Sequence, residues 1–242
     1  MEKRQLGSSD LRIAPWAFGG NVFGWTIDKE ESFRLLDAFI DEGFNLVDTA
    51  DVYSAWVPGN KGGESETILG EWMKARGSRD RVVLATKVGM DFGPDQKGGL
   101  SKRHIFKAVE DSLRRLQTDR IDLYMAHRDD STVPLEETLG AFSELVRQGK
   151  IRHIGASNYT ADRLVAALKI SEKEGYPSYV SLEPLYNLVD REDFEKNLLP
   201  VCREYRLGVI PFYALASGFL TGKYRTQADL AQSARGQRVK DY

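Results

Sequence analysis

The sequence predicts an α/β protein whose parallel strands alternate with helices and close into a (β/α)8 barrel. Apolar, strand-like segments recur every 28 to 39 residues, starting near residues 45, 82, 121, 151, 179 and 208, and a helical pattern separates each segment from the next. Almost every segment ends in a polar residue. A doubly wound sheet would instead gather such residues at one switch point and carry a G-x-G-x-x-G turn after its first strand, which is absent here.

The N-terminal part is predicted to form a hairpin, a first barrel strand and a helix. Residues 3–13 place two short segments around the turn residues 7–10, and residues 16–18 form the predicted strand. Asp28 and Glu31 resemble a capping box, and Gly43 supplies a stop, so a helix is expected between them.

The remaining elements alternate regularly. Strands are predicted at residues 45–48, 82–87, 121–127, 151–156, 179–182 and 208–212, and helices at residues 65–74, 102–116, 135–148, 161–174 and 191–205. Seven barrel strands result, because residues 226–242 are too polar for an eighth. We therefore expect one barrel domain over residues 1–242 that lacks its last strand and helices, roughly 50 residues at this repeat length. Two unpaired edges would remain, so self-association is an alternative way to close the barrel.

The composition excludes several classes of function. A net charge of -2 and a pI near 6.0 leave no basic surface for nucleic acid. The single cysteine, Cys202, cannot form an internal disulfide, and no apolar run approaches the ~20 residues of a membrane span. Because the N-terminus also lacks a signal-peptide core, we expect a cytoplasmic protein without a membrane partner.

Three successive strands end in residues suited to proton chemistry. Asp48, Lys87 and His127 close the strands that begin near residues 45, 82 and 121, and Tyr53 follows Asp48 by five positions. A phenol with a pKa of about 10 acts as an acid near neutrality only if positive charge favours the phenolate. We expect Lys87 to lower the Tyr53 pKa, Asp48 to hold Lys87 in place, and His127 to donate a hydrogen bond to a substrate oxygen.

A metal site is not expected. The other two histidines, His104 and His153, lie in a predicted helix and strand with no Cys or His at ligand spacing. Residues 218–223 have glycines too close together for a phosphate-binding P-loop, and Tyr224 stands where a P-loop needs Ser or Thr to reach Mg²⁺.

The segments around these strand ends resemble the aldo-keto reductase family. The resemblance runs from the hairpin to Tyr224, and its most specific stretches are residues 45–53, 86–87 and 126–130. It implies a barrel of aldo-keto reductase type with an N-terminal hairpin. It also implies an oxidoreductase that uses NADPH, with NADH as an alternative, to reduce a small aldehyde or ketone reversibly, with Tyr53 as general acid.

The same resemblance implies a cofactor site along the strand ends. Ser157 and Asn158 would hold the nicotinamide carboxamide, Phe212 would stack on it where the family usually has Tyr, and Lys223 would contact phosphate. The expected cofactor residues are Gly20, Asn21, Ser157, Asn158, Glu183, Phe212, Tyr213, Ala214, Leu215, Ser217, Gly218, Leu220 and Lys223. Trp25 and Trp56 are candidates either for an apolar substrate pocket or for cover of the core.

Two departures from the family pattern leave alternatives open. The family usually has Gln where this chain has Glu183, and a carboxylate desolvated beside the carboxamide would alter cofactor affinity. The family residues that hold the adenosine 2′-phosphate follow the eighth strand, so NADPH preference rests on the resemblance alone. The alternatives are a catalytically weak nicotinamide-binding scaffold or regulatory subunit, and an inactive fragment.

Overall fold

A computed structural model describes residues 1–93 and 96–242, except for the side chain of residue 241. A hairpin of β1 (Arg4–Gln5) and β2 (Arg12–Ile13) precedes a curled parallel sheet. The sheet strands are neighbours in the order in which the chain makes them: β3 (Ala17–Gly19), β4 (Leu46–Asp48), β5 (Val83–Val88), β6 (Ile121–Ala126), β7 (Ile151–Ser157), β8 (Tyr179–Glu183) and β9 (Gly208–Val209). All their carboxyl ends therefore meet at one edge.

Helices pack on the outer face of this sheet. They are α1 (Lys29–Asp41), α2 (Glu64–Arg76), α3 (Lys102–Leu116), α4 (Leu135–Arg147), α5 (Ala161–Glu174) and α6 (Leu199–Glu204). The tail after β9 forms short 3-10 turns at Ala216–Thr221, Gln227–Gln232 and Gly236–Asp241. No helix among the described residues combines the length and the apolar character that a membrane crossing requires.

The predicted α/β class and the seven parallel strands are confirmed, with local differences. The predicted strand at residues 208–212 is regular only over Gly208–Val209. Pro211 has no N–H to extend the ladder, although Phe212 N still donates to the Pro184 carbonyl oxygen at 3.0 Å. The predicted helix at residues 191–205 contains a π-turn over Phe194–Leu198, because Pro200 cannot complete the α-helical bonding pattern.

The hairpin closes the amino-terminal end of the curled sheet. Leu6 and Leu11 are buried against inward-facing strand residues, which include Leu46, Val83, Ala85, Leu123, Met125, Val180 and Ile210. Asn45 joins the hairpin to β4, since its side chain accepts from Ala14 N and donates to the Arg12 carbonyl oxygen, both at 2.9 Å. The opposite end, where the strands finish, carries the polar residues.

Candidate active site

Lys87 is the centre of the polar cluster at the strand ends. It is fully buried, and its Nζ donates to Asp48 Oδ1 at 2.6 Å, to Asp48 Oδ2 at 2.5 Å and to Tyr53 OH at 2.9 Å. The pairing of β4 with β5 explains the contact, because Asp48 lies opposite Ala85, two residues before Lys87 on the same face of β5. The structure therefore brings together three of the four residues that the sequence singled out for catalysis.

His127, the fourth, lies beside this cluster. Its ring centroid is 5.8 Å from that of Tyr53, and its backbone N–H donates to the Val88 carbonyl oxygen at 2.8 Å. Nδ1 is buried without a hydrogen-bond partner among the described residues. Burial, together with the nearby Lys87 and Arg128 charges, holds the pKa of His127 well below its usual range. The ring is therefore neutral at physiological pH and keeps one N–H for donation.

Glu183 adds a second carboxylate to the Lys87 cluster. The family resemblance implied only that this residue lies beside the cofactor carboxamide. It ends β8, and its Oε2 lies 3.4 Å from Lys87 Nζ but has no hydrogen-bond partner among the described residues. The contact joins β5 to β8, which are not neighbours in the sheet, across the inside of the curl. No sequence signal could reveal it, because the contact depends on how strongly the sheet curls.

The pKa of the Tyr53 hydroxyl differs from the expected one. Burial raises the pKa of Tyr53, Lys87 lowers it, and the charges of Asp48 and Glu183 raise it further, so the pKa lies above its ordinary value. Lys87 thus acts in the expected direction, but the prediction that it would leave Tyr53 with a lowered pKa is wrong for the free protein. Tyr53 keeps its proton throughout the neutral pH range.

Lys87 supplies one positive charge to two neighbouring carboxyl groups, those of Asp48 and Glu183. Burial alone would lower the pKa of Lys87, but Asp48 and Glu183 outweigh it and raise the pKa, so Lys87 stays an ammonium. Burial raises the pKa of both carboxyl groups, that of Glu183 to about 8, while Lys87 opposes the rise. Asp48 receives two hydrogen bonds from Lys87, whereas Glu183 Oε2 has no partner among the described residues, so Lys87 stabilises the ionised form of Asp48 more than that of Glu183.

The two tryptophans lie next to the tyrosine. The Tyr53 and Trp56 rings are 6.2 Å apart, and the Trp56 and Trp25 rings meet edge to face at 5.5 Å. Trp56 is 46% exposed, so it does not simply cover the core. Sequence reasoning missed Arg235, whose guanidinium lies 5.2 Å over the Trp25 ring. It stands in the polar tail, where no pattern distinguishes it.

Ser157 ends β7, Asn158 follows it, and their side chains tie β7 to β8 and to the residue after β6. Ser157 Oγ donates to the Glu183 carbonyl oxygen at 2.9 Å, and Asn158 Nδ2 donates to the His127 carbonyl oxygen at 2.8 Å. Asn158 is exposed and has a left-handed backbone, with φ of 54°. These residues lie at the same strand-end edge as Lys87 and can present polar groups to a ligand there.

The loop after β9 holds most of the other expected cofactor residues. Left-handed backbone conformations, which non-glycine residues rarely adopt, occur at Tyr213, Ala216 and Ser217. The Phe212 and Tyr213 rings are 5.3 Å apart, and Lys223 is exposed, with its Nζ 5.0 Å over the Tyr224 ring. The same loop contains Ala214, Leu215, Gly218 and Leu220, and Leu215 is exposed. A strained loop of this kind is typical of a binding segment.

Gly20 and Asn21 lie on a 3-10 turn after β3. A Cβ at position 20 would come within 2.9 Å of Ser65 Oγ and 3.0 Å of the Asp48 carbonyl oxygen. The Ser65 hydroxyl donates to the Gly20 carbonyl oxygen at 2.7 Å. Gly20 therefore lets this turn pack closely against β4 and α2, at the side of the Lys87 cluster.

No group of three or more His, Cys, Asp or Glu side chains suited to a metal ion occurs within residues 1–93 and 96–242. His104 lies on α3 and His153 on β7, where its Nε2 contacts Asp10 Oδ1 at 2.6 Å.

Comparison with known proteins agrees with this arrangement. Residues 15–240 match the model of the aldo/keto reductase family. The chain is 38% identical to the oxidoreductase YrpG of Bacillus subtilis over 92% of this chain and 69% of that protein. It is 36% identical to a probable voltage-gated potassium channel subunit beta of Oryza sativa over 93% of this chain and 67% of that protein.

Among solved structures, the holo form of the aldo-keto reductase AKR11C1 from Bacillus halodurans is similar, with a TM-score of 0.74 and 36% sequence identity. The match covers 87% of this chain and 65% of that one. The chain thus spans about two thirds of the length of the proteins it matches. With the family match over residues 15–240 and the same fold, the chain belongs to the aldo/keto reductase family of oxidoreductases.

Proposed function

We propose that this protein reduces an aldehyde or ketone reversibly, with NADPH preferred over NADH and with Tyr53 as the proton donor. The contact of one buried ammonium, Lys87, with both Asp48 and the Tyr53 hydroxyl is the observation that supports this most directly. A phenol held against an ammonium is suited to give up a proton during reaction, because the ammonium stabilises the phenolate that forms.

The strand-end residues fit a nicotinamide. Glu183 Oε2 is a buried acceptor without a partner among the described residues, which suits the NH₂ of a carboxamide. Ser157 ends the adjacent strand, and Asn158 follows it. Phe212 would stack on the ring, and the exposed Lys223 would contact phosphate. The remaining contacts would come from the turn after β3 and from the loop after β9. Bound there, the reduced nicotinamide supplies the hydride.

The side chains of the Lys87 cluster handle the proton. Tyr53 and neutral His127 donate hydrogen bonds to the carbonyl oxygen, which orients it and stabilises the negative charge that develops on it. The proton then passes from the Tyr53 hydroxyl to that oxygen. Lys87 faces the resulting phenolate, and Asp48 holds Lys87 in place. Oxidation of the alcohol follows the same path in reverse, with the Tyr53 phenolate as base.

Trp25 and Trp56 would bind an apolar part of the substrate. The Trp56 ring neighbours the Tyr53 ring and the Trp25 ring neighbours that of Trp56, so a carbonyl group at Tyr53 would place its substituent beside them. Aromatic surfaces of this kind bind apolar groups and help to keep water from the reacting oxygen.

The test is the loss of reduced-nicotinamide absorbance with NADPH and with NADH, against aromatic and aliphatic aldehydes and ketones. Tyr53→Phe should lower kcat by about 10²- to 10⁴-fold while leaving the cofactor Kd, measured by fluorescence titration, nearly unchanged. Tyr176→Phe, a change in a half-buried tyrosine after α5, should leave both values unchanged. Full turnover by Tyr53→Phe would refute the proposed role.

A second candidate function is a nicotinamide-binding regulatory subunit with little turnover. The 36% identity to a probable potassium channel subunit beta favours it. In that case the wild-type protein should bind NADPH but should not oxidise it measurably with any carbonyl compound, and Tyr53→Phe should change nothing. The same assay therefore separates the two candidates.

A further inference from the structure

The Lys87 cluster contains more negative than positive charge when all its groups ionise. Asp48 and Glu183 both lie within contact distance of Lys87 Nζ, at 2.5 Å and 3.4 Å. Of the two carboxyl groups, Asp48 accepts hydrogen bonds from Lys87, whereas Glu183 is 4% exposed and its Oε2 has no hydrogen-bond partner among the described residues. A buried carboxylate in this position is destabilised.

The groups facing the Glu183 carboxyl come from three elements. β4 contributes Asp48, β5 contributes Lys87, and the loop after β4 contributes Tyr53. From β7, Ser157 donates to the Glu183 backbone carbonyl oxygen and not to its carboxyl group. Within the part of the chain that the structure describes, Lys87 is therefore the cation that balances both carboxylates.

We propose that Glu183 is a positioning residue of the reaction: its protonation sets the charge around Tyr53, so that carbonyl reduction is fast with Glu183 protonated and slow with Glu183 ionised. This inference rests on the proposed function. Glu183 acts through Lys87 and Tyr53 and exchanges its own proton with solvent, so it consumes none in the reaction.

The physical reason lies in the phenolate that reduction leaves behind. When Tyr53 has given its proton to the substrate, its negative charge stands among Lys87, Asp48 and Glu183. With Glu183 neutral, the Asp48–Lys87 pair is balanced and the ammonium stabilises the phenolate. With Glu183 ionised, an additional negative charge opposes it. Since burial raises the pKa of Glu183 to about 8, the change falls in a range where the enzyme can be assayed.

The first test compares the pH dependence of carbonyl reduction in wild type and Glu183→Gln. Wild-type kcat should fall as pH rises through about 8, whereas the variant, which cannot ionise there, should keep its rate to a pH at least about one unit higher. Glu66→Gln is the matched control, because Glu66 is a buried carboxylate that Thr86 and Arg115 bind instead of Lys87. Its pH limit should match that of the wild type.

A second measurement needs no turnover. In the cofactor-free wild-type protein with carbon-13 in its glutamate carboxyl groups, one resonance should titrate near pH 8 and should be missing from Glu183→Gln. The proposal is overturned if no glutamate titrates above about pH 6, or if the folded Glu183→Gln variant has the wild-type pH limit. Absence of turnover with every carbonyl compound would overturn the proposed function, while the titration would still decide the charge of Glu183.

Discussion

Two buried polar clusters lie on opposite sides of β5, and they differ in how completely their charges are paired. On the outer side, Thr86 Oγ1 donates to Glu66 Oε1 at 2.6 Å and Arg115 Nε donates to Glu66 Oε2 at 2.7 Å. Each oxygen of the Glu66 carboxylate thus has a donor. On the inner side, Lys87 contacts Asp48, Tyr53 and Glu183, and Glu183 Oε2 has no hydrogen-bond partner among the described residues.

The difference follows from the alternation of side chains along a strand. Thr86 and Lys87 are consecutive, so they point to opposite faces of the sheet. The outer face packs against α2 and α3, where a balanced pair adds to stability. The inner face opens at the strand ends, where the proposed reaction would take place. The two faces of β5 thus differ in how the carboxylates nearest the strand, Glu66 and Glu183, are hydrogen-bonded.

Lys87→Met tests the inner cluster most severely. It leaves two buried carboxyl groups without their cation, so we expect a loss of about 3 to 5 kcal/mol in the free energy of unfolding at about pH 8. The loss should be smaller at about pH 5, because Glu183 is protonated there. Reductase activity should fall by about 10³-fold or more. Urea unfolding and the NADPH assay measure the two effects, and a variant as stable as wild type would refute the charge balance.

Arg115→Met tests the outer cluster. It leaves Glu66 with the Thr86 hydroxyl as its remaining donor, and we expect a loss of about 2 to 3 kcal/mol in the free energy of unfolding. The folded variant should keep the wild-type kcat, since Arg115 contacts none of the inner groups. A folded Arg115→Met protein without activity would break the comparison, because the outer cluster would then contribute to the reaction.

Asp51→Asn sharpens the comparison at a carboxyl group beside the outer cluster. Asp51 is 1% exposed, and its side-chain oxygens have no hydrogen-bond partner among the described residues. Burial, with the nearby Glu66 charge, holds its pKa well above the usual range. The folded protein keeps this proton while the unfolded chain releases it above about pH 4, so wild-type stability falls with rising pH by up to about 1.4 kcal/mol per unit.

Because asparagine cannot ionise, Asp51→Asn should gain stability relative to wild type as pH rises from about 5 to about 8. Urea unfolding at both pH values gives the difference. Asp162→Asn, at an exposed position in the first turn of α5, serves as the control and should show no such trend. A constant difference across this range would mean that Asp51 is ionised in the folded protein.

His127→Gln has the smallest expected effect. Glutamine retains an N–H donor, so we expect kcat to fall by about tenfold rather than by the larger factor seen when an oxyanion donor is lost. Because the pKa of His127 is low, His127 should not titrate near pH 6.5. The pH dependence of kcat around pH 6.5 should therefore be the same in wild type and in His127→Gln. A difference there would show that His127 titrates in the assay range.

Much of the fold could be predicted because it follows from local patterns. The repeat of apolar runs and helical stretches indicated the parallel strands in their correct order, and the polar residue at each strand end indicated Asp48 and Lys87. Parallel strands finish at one edge, so these residues had to meet. The cofactor residues and the role of Tyr53 remain predictions from the resemblance and from the geometry.

The sequence by itself thus determined the order of elements and the edge at which the polar residues gather, since strand and helix periods are properties of short segments. Only the tertiary structure decided that Glu183 reaches Lys87, because that contact spans strands that are distant in the sheet and depends on its curl. It also decided the pKa of Tyr53, because burial is a property of the assembled core and here outweighs the neighbouring ammonium.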